Sequence, residues 1–275
     1  MADKIALSAA VRNNLLSLQR TTYLADRTQT RLASGLKVNS ALDDAAAFFA
    51  SRALSFRADD LSALKDNIDQ SISVLEASVN GLEAITELVE QAQGLAITAK
   101  ATGDTSERSS LAIQYNALLS QIDNLANDSS YNGTNLIQAA PDNLAVTFNE
   151  NNTTSLTVSG VDSTTGTAGI NVAAAGNNFL NESDINLALT ASRTALTTLR
   201  TTAATLGSNN SVLQTRLNFT DDLVNTLDAG SGKLILADLN EESANLLSLQ
   251  TRQQLGLNSL SLAAQSERAI LNLFG

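Results

Sequence analysis

The apolar residues of this chain recur at alternating steps of three and four, and that spacing constrains the fold more than any other feature. One line runs from Val11 through Leu15, Leu18, Thr22, Ala25, Gln29 and Leu32 to Leu36. A second runs from Leu61 through Ile68, Leu75, Leu82 and Val89 to Ala99, and a shorter one joins Leu111, Tyr115, Leu118, Ile122 and Leu125. The strongest begins at Ile185 and passes Leu189, Leu196, Leu199, Leu206 and Leu213 on its way to Leu227. A repeat of about 3.5 residues is the seam of a coiled coil. At about 1.5 Å per residue, the second line needs a rod approaching ~60 Å. Rods of that length pack side by side rather than around a round core. A single proline and 4% aromatic content leave little to interrupt them. The expected fold is mainly α: a long coiled-coil helical bundle of the N- and C-terminal halves, carrying a small β-hairpin or β-rich insert.

Breaks are few. Thr102-Gly103-Asp104 separates two helices, and the stretch from Asn127 to Asn135 is a dense turn cluster around Asn132-Gly133, a favoured hairpin pair. A calcium-loop reading of Asp128, Ser130 and Asn132 fails because Ala139 stands where the bidentate Glu belongs. Between about Pro141 and Asn181 the segments around Val146–Phe148 and Leu156–Ser159 read as short strands. A further break is expected at Gly230-Ser231-Gly232, with helix resuming near Leu234.

The last segment is apolar on two faces. Leu246, Leu249, Leu257, Leu260 and Leu271 form one, Leu247, Leu255, Leu262 and Leu273 another, and Phe274 ends the run. A helix apolar over so wide an arc is buried on several sides. Pairing with the N-terminal line covers one face and leaves the other bare. Ordering a ~40-residue tail costs on the order of 40–80 kcal/mol of conformational entropy. Neighbouring copies could offset that cost, and a head-to-tail contact that does not close gives an open filament. Periodicity alone equally admits a bundle within one chain or a cytoplasmic coiled-coil scaffold.

Composition removes most chemistry. The chain has no His and no Cys, so a Ser–His–Asp triad, an HExxH metal site, a Cys-ligated zinc and a disulfide are all excluded. No catalytic, metal or cofactor-binding residue is expected. A net charge of −11 argues against nucleic acid or an anionic membrane as partner. No apolar run reaches the ~20 residues of a membrane span, and Met1–Ala10 lacks the apolar core of a cleaved signal peptide.

Several stretches resemble the bacterial flagellins. Arg31-Leu-Ala-Ser-Gly-Leu-Lys-Val-Asn-Ser40 with Ala41–Ala46 is similar to the family's RLSSGLRINSAKDDAA, and Asn67–Leu82 and Tyr131–Ile137 match two further segments. Ala237–Ser243, Leu249–Leu257 and Ile270–Phe274 resemble the C-terminal signature. Gly230-Ser231-Gly232 is similar to short flagellins of alphaproteobacteria. The resemblance implies a structural filament subunit, extracellular, working in motility. Residues 1–44 and 232–275 would form a terminal inner-tube coiled coil, 45–140 and 183–231 a helical outer tube, and 141–182 a short surface insert. Subunit packing would fall to Val11, Leu15, Leu18, Leu32, Leu36, Leu246, Leu249, Leu257, Leu260, Leu271 and Phe274. Implied partners are other copies of the chain, a secretion chaperone on the C-terminal tail, and the filament cap and hook-associated proteins, with export by the flagellar type III route. A hook–filament junction protein is the alternative.

Two departures bear on recognition by innate immune receptors. Gln91 stands at the family's receptor-binding Arg, beside Leu95, and Gln114 at its Glu, so weak activation is expected. Leu42, Phe48 and Phe49 depart from the plant-recognised segment, and the two phenylalanines read as core packing. In the insert, Thr153, Thr154, Ser163, Thr164 and Thr165 are candidate O-glycosylation sites.

Overall fold

The structure, a computed structural model, describes residues 9–274, with backbone alone at positions 10, 267 and 270–274. Its helices are α1 (Ala9–Ser34), α2 (Ala45–Ala101), α3 (Thr105–Asp128), α4 (Glu182–Ile235) and α5 (Leu239–Phe274). Two short strands, β1 (Asn143–Thr147) and β2 (Ser155–Ser159), and a 3-10 turn at Gly176–Phe179 lie between α3 and α4. Contacts divide the chain into two compact units, residues 57–225 and residues 1–56 with 226–275.

Three helix starts, those of α2, α3 and α5, have a local cause in an aspartate. Asp44 Oδ1 accepts the Ala47 N–H at 3.0 Å ahead of α2. Asp104 accepts from Ser106 N at 2.8 Å ahead of α3, and Asp238 accepts from Asn240 N at 2.9 Å ahead of α5. These aspartates occupy the orphan donors of a first turn and place negative charge where the helix dipole favours it.

In the 57–225 unit the sequence stripes become the core. On α2, Ile68, Leu75, Leu82, Ile85 and Val89 are fully buried, followed by Ala92, Ala96 and Ala99, where small side chains let neighbouring elements approach. On α4 the expected line is buried at Ile185, Leu189, Leu196, Leu199, Leu206 and Leu213. On α3 the buried line is Ala112, Tyr115, Leu119, Ile122 and Ala126, whereas the expected Leu111, Leu118 and Leu125 are half-buried. The helix is rotated slightly because it also holds the insert: Asn116 accepts from Ala175 N, and Asp123 from Thr165 N.

The insert folds around one side chain and one hairpin. Asn135 donates to the carbonyls of Ala126 and Asn127 at the end of α3 and accepts from Ile137 N and Gln138 N. Strands β1 and β2 pair antiparallel with Val146 opposite Leu156, and Val146 and Val158 face the core. Arg57 clamps the hairpin end through Glu150 at 2.7 Å. Asn132 and Gly133 both have positive φ (50° and 82°), the left-handed pair a tight hairpin turn requires.

One expected break is absent. Helix α4 continues through Gly230-Ser231-Gly232 to Ile235, and the chain turns at Leu236–Asp238 instead. The buried Ser231 hydroxyl bonds Ser51 and Ser55 of α2, each at 2.9 Å. Gly230 thins α4 where it lies against α2, with Leu54 beside it, and these contacts outweigh the weak helix propensity of the two glycines.

Candidate assembly surface

The family-like stretch from Arg31 to Ala46 builds a turn between α1 and α2 and fastens it to the start of the C-terminal segment. Gly35, at φ 72°, ends α1 with its N–H on the Arg31 carbonyl, a left-handed position that suits only glycine well. Leu36 then pairs with Leu236, Lys37 N donates to Ile235 O at 2.6 Å, and Ala237 N returns to Gly35 O at 3.0 Å. Asp43 closes the turn by accepting the N–H groups of Asn39 and Ser40, both at 3.1 Å. Those two backbone donors hold the Asp43 carboxyl below its ordinary pKa of 3.8. A depressed folded value means that the turn's contribution is present above 3.8 and is lost as pH falls through the lower folded pKa. An NMR titration of Asp43 should give a midpoint below 3.8; a midpoint at or above it contradicts this geometry.

Helices α1 and α5 run antiparallel. Arg31 meets Glu242 at 2.8 Å, Gln253 reaches Thr22, and Leu18 sits against Gly256. The face of α5 turned to α1 is Glu242, Leu246, Leu249, Gln253, Gly256, Leu260 and Ala263, buried or half-buried at alternating steps of four and three. On α1, Val11 is buried and Leu18 and Leu32 are half-buried, as is Leu36 just beyond it, while Leu15 is more exposed. Leu257 lies outside this seam and is 46% exposed, because the seam passes through its neighbour Gly256 and one residue turns a helix by about 100°. The side chains of Leu271 and Phe274 lie outside the described residues.

A second α5 face remains bare. Leu247, Leu255 and Leu262 are 68%, 60% and 66% exposed, and on α1 Leu16 and Tyr23 are exposed as well. Sequence reading named the α5 leucines but missed Leu16 and Tyr23, whose seven-residue spacing was the available signal. It also missed the Arg31–Glu242 pair. Glu242 is only 8% exposed, so removing Arg31 would strand a buried carboxylate.

Other expected residues fall in different places. Gln91, Leu95 and Gln114 come together in one shallow groove between α2 and α3, with Gly94, Ala117 and Leu118. Phe49 is not core: it is 62% exposed, edge-on to the half-buried Phe48 at 5.6 Å. Core space there is taken by Ser51 and its hydroxyl partners, one helix face away. Ser163 and Thr164 are buried, and the half-buried Thr165 donates its hydroxyl to Asp123. Buried hydroxyls are closed to a transferase, which leaves Thr153 and Thr154 as the exposed candidates. Among the described residues no helix is long and apolar enough to cross a membrane, and no acidic group is arranged to hold a metal.

Comparison with known proteins addresses the whole chain. Residues 5–141 match the bacterial flagellin N-terminal helical region, and residues 189–274 match the bacterial flagellin C-terminal helical region. Flagellin FljO of Caulobacter vibrioides is 32% identical over 267 residues, covering 94% of each chain. A flagellin of Brucella melitensis is 30% identical over 285 aligned positions, covering 100% of this chain and 99% of its own. The crystal structure of Bacillus cereus flagellin aligns with 56% of this chain and 88% of its own, at 19% identity and a TM-score of 0.49. The chain belongs to the bacterial flagellin family, whose members are structural subunits of the flagellar filament and not enzymes.

Proposed function

We propose that this chain polymerises head to tail into an extracellular flagellar filament that serves swimming. The observation that carries this reading is the second leucine face of α5. Leu247, Leu255 and Leu262 stay largely exposed on a helix whose other face α1 already occupies. Large exposed apolar faces mark association surfaces, and further copies of the chain are the partner the family supplies. In this reading residues 1–44 and 232–275 line an inner tube, residues 45–140 and 183–231 form an outer tube, and 141–182 is a small surface insert. The chain leaves the cell by the flagellar export route. A secretion chaperone shields the α5 leucines before assembly, and the chain adds beneath a cap protein, joined to the hook through hook-associated proteins. Contact with innate receptors is weak, because the α2–α3 groove offers Gln91 and Gln114 in place of charged groups. Purified protein, concentrated and viewed by negative-stain microscopy, should form long, thin filaments. A chain that stays monomeric at every concentration would overturn the reading.

A further inference from the structure

Between α1 and α5 lies a cleft of about 250 Å³ whose polar lining the pairing of the two helices does not explain. Arg27, Thr28 and Arg31 enter it from α1, and Asn245, Ser248 and Arg252 from α5. The spacing puts each set on one helix face: Arg27 and Arg31 are one turn apart, and the α5 residues step by three and four. Glu242 also lines the cleft and is held by Arg31 at 2.8 Å. Asp26 and Glu241, the acids beside these residues in sequence, do not line it. Three arginines against one carboxylate leave two positive charges in excess, in a chain whose net charge is −11.

The donors in this cleft are unused. Thr28 is only 7% exposed, yet its hydroxyl makes no hydrogen bond among the described residues. Thr21 and Thr30 on the same helix each donate to the carbonyl one turn back, at 2.9 Å, and Thr28 does not. A buried polar group without a protein partner marks a place for water or an ion. Among the described residues Arg27 and Arg252 form no salt bridge, and the side chains of Asn245 and Ser248 form no hydrogen bond. Asp43 lies within reach of the Arg27 charge, but its carboxylate is committed to the N–H groups of Asn39 and Ser40.

We propose that this cleft binds a free, phosphate-sized oxyanion that ties α1 to α5. The guanidinium forks of Arg27 and Arg252 match the oxygens of such an ion, and the hydroxyl and amide groups add neutral donors around it. The excess positive charge rejects a metal cation, and the ring of donors rejects an apolar molecule. At about 250 Å³ the cleft falls below the ~300–1,000 Å³ usual for larger ligands. Solvation alone accounts for two exposed arginines but not for the buried Thr28 hydroxyl between them and the α5 donors. Because the donors come from both helices, the ion binds only when the helices are paired, and it stabilises that pairing by mass action. The site is complete in one copy, so it goes beyond the filament reading.

Hydrogen exchange on dilute, monomeric full-length protein tests this, in inorganic phosphate and in sodium chloride of equal ionic strength. With phosphate titrated to about ten times its dissociation constant, amides of α1 and α5 should exchange roughly tenfold more slowly than in chloride, the factor that binding to the paired state alone gives. Amides of residues 57–225 should not change. Arg27→Gln and Arg252→Gln should each abolish most of the slowing while leaving exchange in chloride as in the wild type, since neither side chain has a partner to lose. Arg252→Lys keeps the charge without the fork and should retain part of it. Equal exchange in phosphate and chloride, slowing that extends across 57–225, or a full phosphate response in both glutamine variants would overturn the inference. Protein that never polymerises yet shows the phosphate response would sink the filament reading and leave this site standing.

Discussion

Replacing Leu247, Leu255 and Leu262 with glutamine is expected to raise the concentration required for polymerisation by roughly 10²–10⁴-fold while leaving the isolated chain as stable as before. Full burial of a leucine stabilises by roughly 1.5–3 kcal/mol. These three keep 68%, 60% and 66% of their surface exposed, so most of that gain is still available to a partner. Roughly 1–2 kcal/mol each gives roughly 3–6 kcal/mol per copy, and every 1.4 kcal/mol is about tenfold in affinity. Glutamine forms helix about as well as leucine, so the α1–α5 pairing is untouched. Sedimentation of polymer against total concentration reads the effect, and circular dichroism melting checks the monomer. An unchanged polymerisation threshold would show that this face is not a contact.

The second large effect lies inside the 57–225 unit. Phe179→Ala should destabilise it by about 3–5 kcal/mol, measured by urea unfolding, the usual range for emptying a buried phenylalanine site. Phe179 is fully buried, edge-on to Tyr115 with ring centroids 5.2 Å apart. It also sits at φ 59° after Asn177 and Asn178 at 44° and 52°, a left-handed run that a bulky residue tolerates only when packing holds it there. Asp184 steadies the run by accepting from Asn177 Nδ2 at 2.9 Å. Leu42→Ala is the contrasting case. Leu42 is 98% exposed, and its loss should leave monomer stability within about 0.5 kcal/mol of wild type. A Phe179→Ala loss as small as that of Leu42→Ala would mean that Phe179 does not hold the insert.

How far the fold could be read in advance depended on how much of each helix surface is covered. On α2 and α4 one buried arc sets a single line, and the stripes from Leu61 and from Ile185 are the core as read. On α3 and α5 the covering element chooses among adjacent apolar positions, and spacing cannot make that choice. Leu119 is buried where Leu118 was expected, and Gly256 lies against Leu18 where Leu257 was expected. The same limit explains Gly230-Ser231-Gly232. Its composition predicts a break, but contacts 180 residues away in sequence keep it helical. Ser163 and Thr164 are polar yet buried, which composition does not signal. In the fold Thr164 bonds Asp162, and Ser163 N and Ile170 N tie the loop to the backbone. For the assembly surface, the exposed α5 leucines were visible as surplus apolar residues.

Hydrogen exchange on monomer and polymer of the same preparation tests the central claim most directly: the two terminal helices need sister molecules to become firmly structured. Amides of residues 57–225 should be protected in both samples. Those of α1 and α5 should exchange quickly in the monomer, where bare leucine faces leave little to hold them, and become protected on polymerisation. Strong protection of α1 and α5 in a dilute monomer, matching that of the 57–225 unit, would contradict the account.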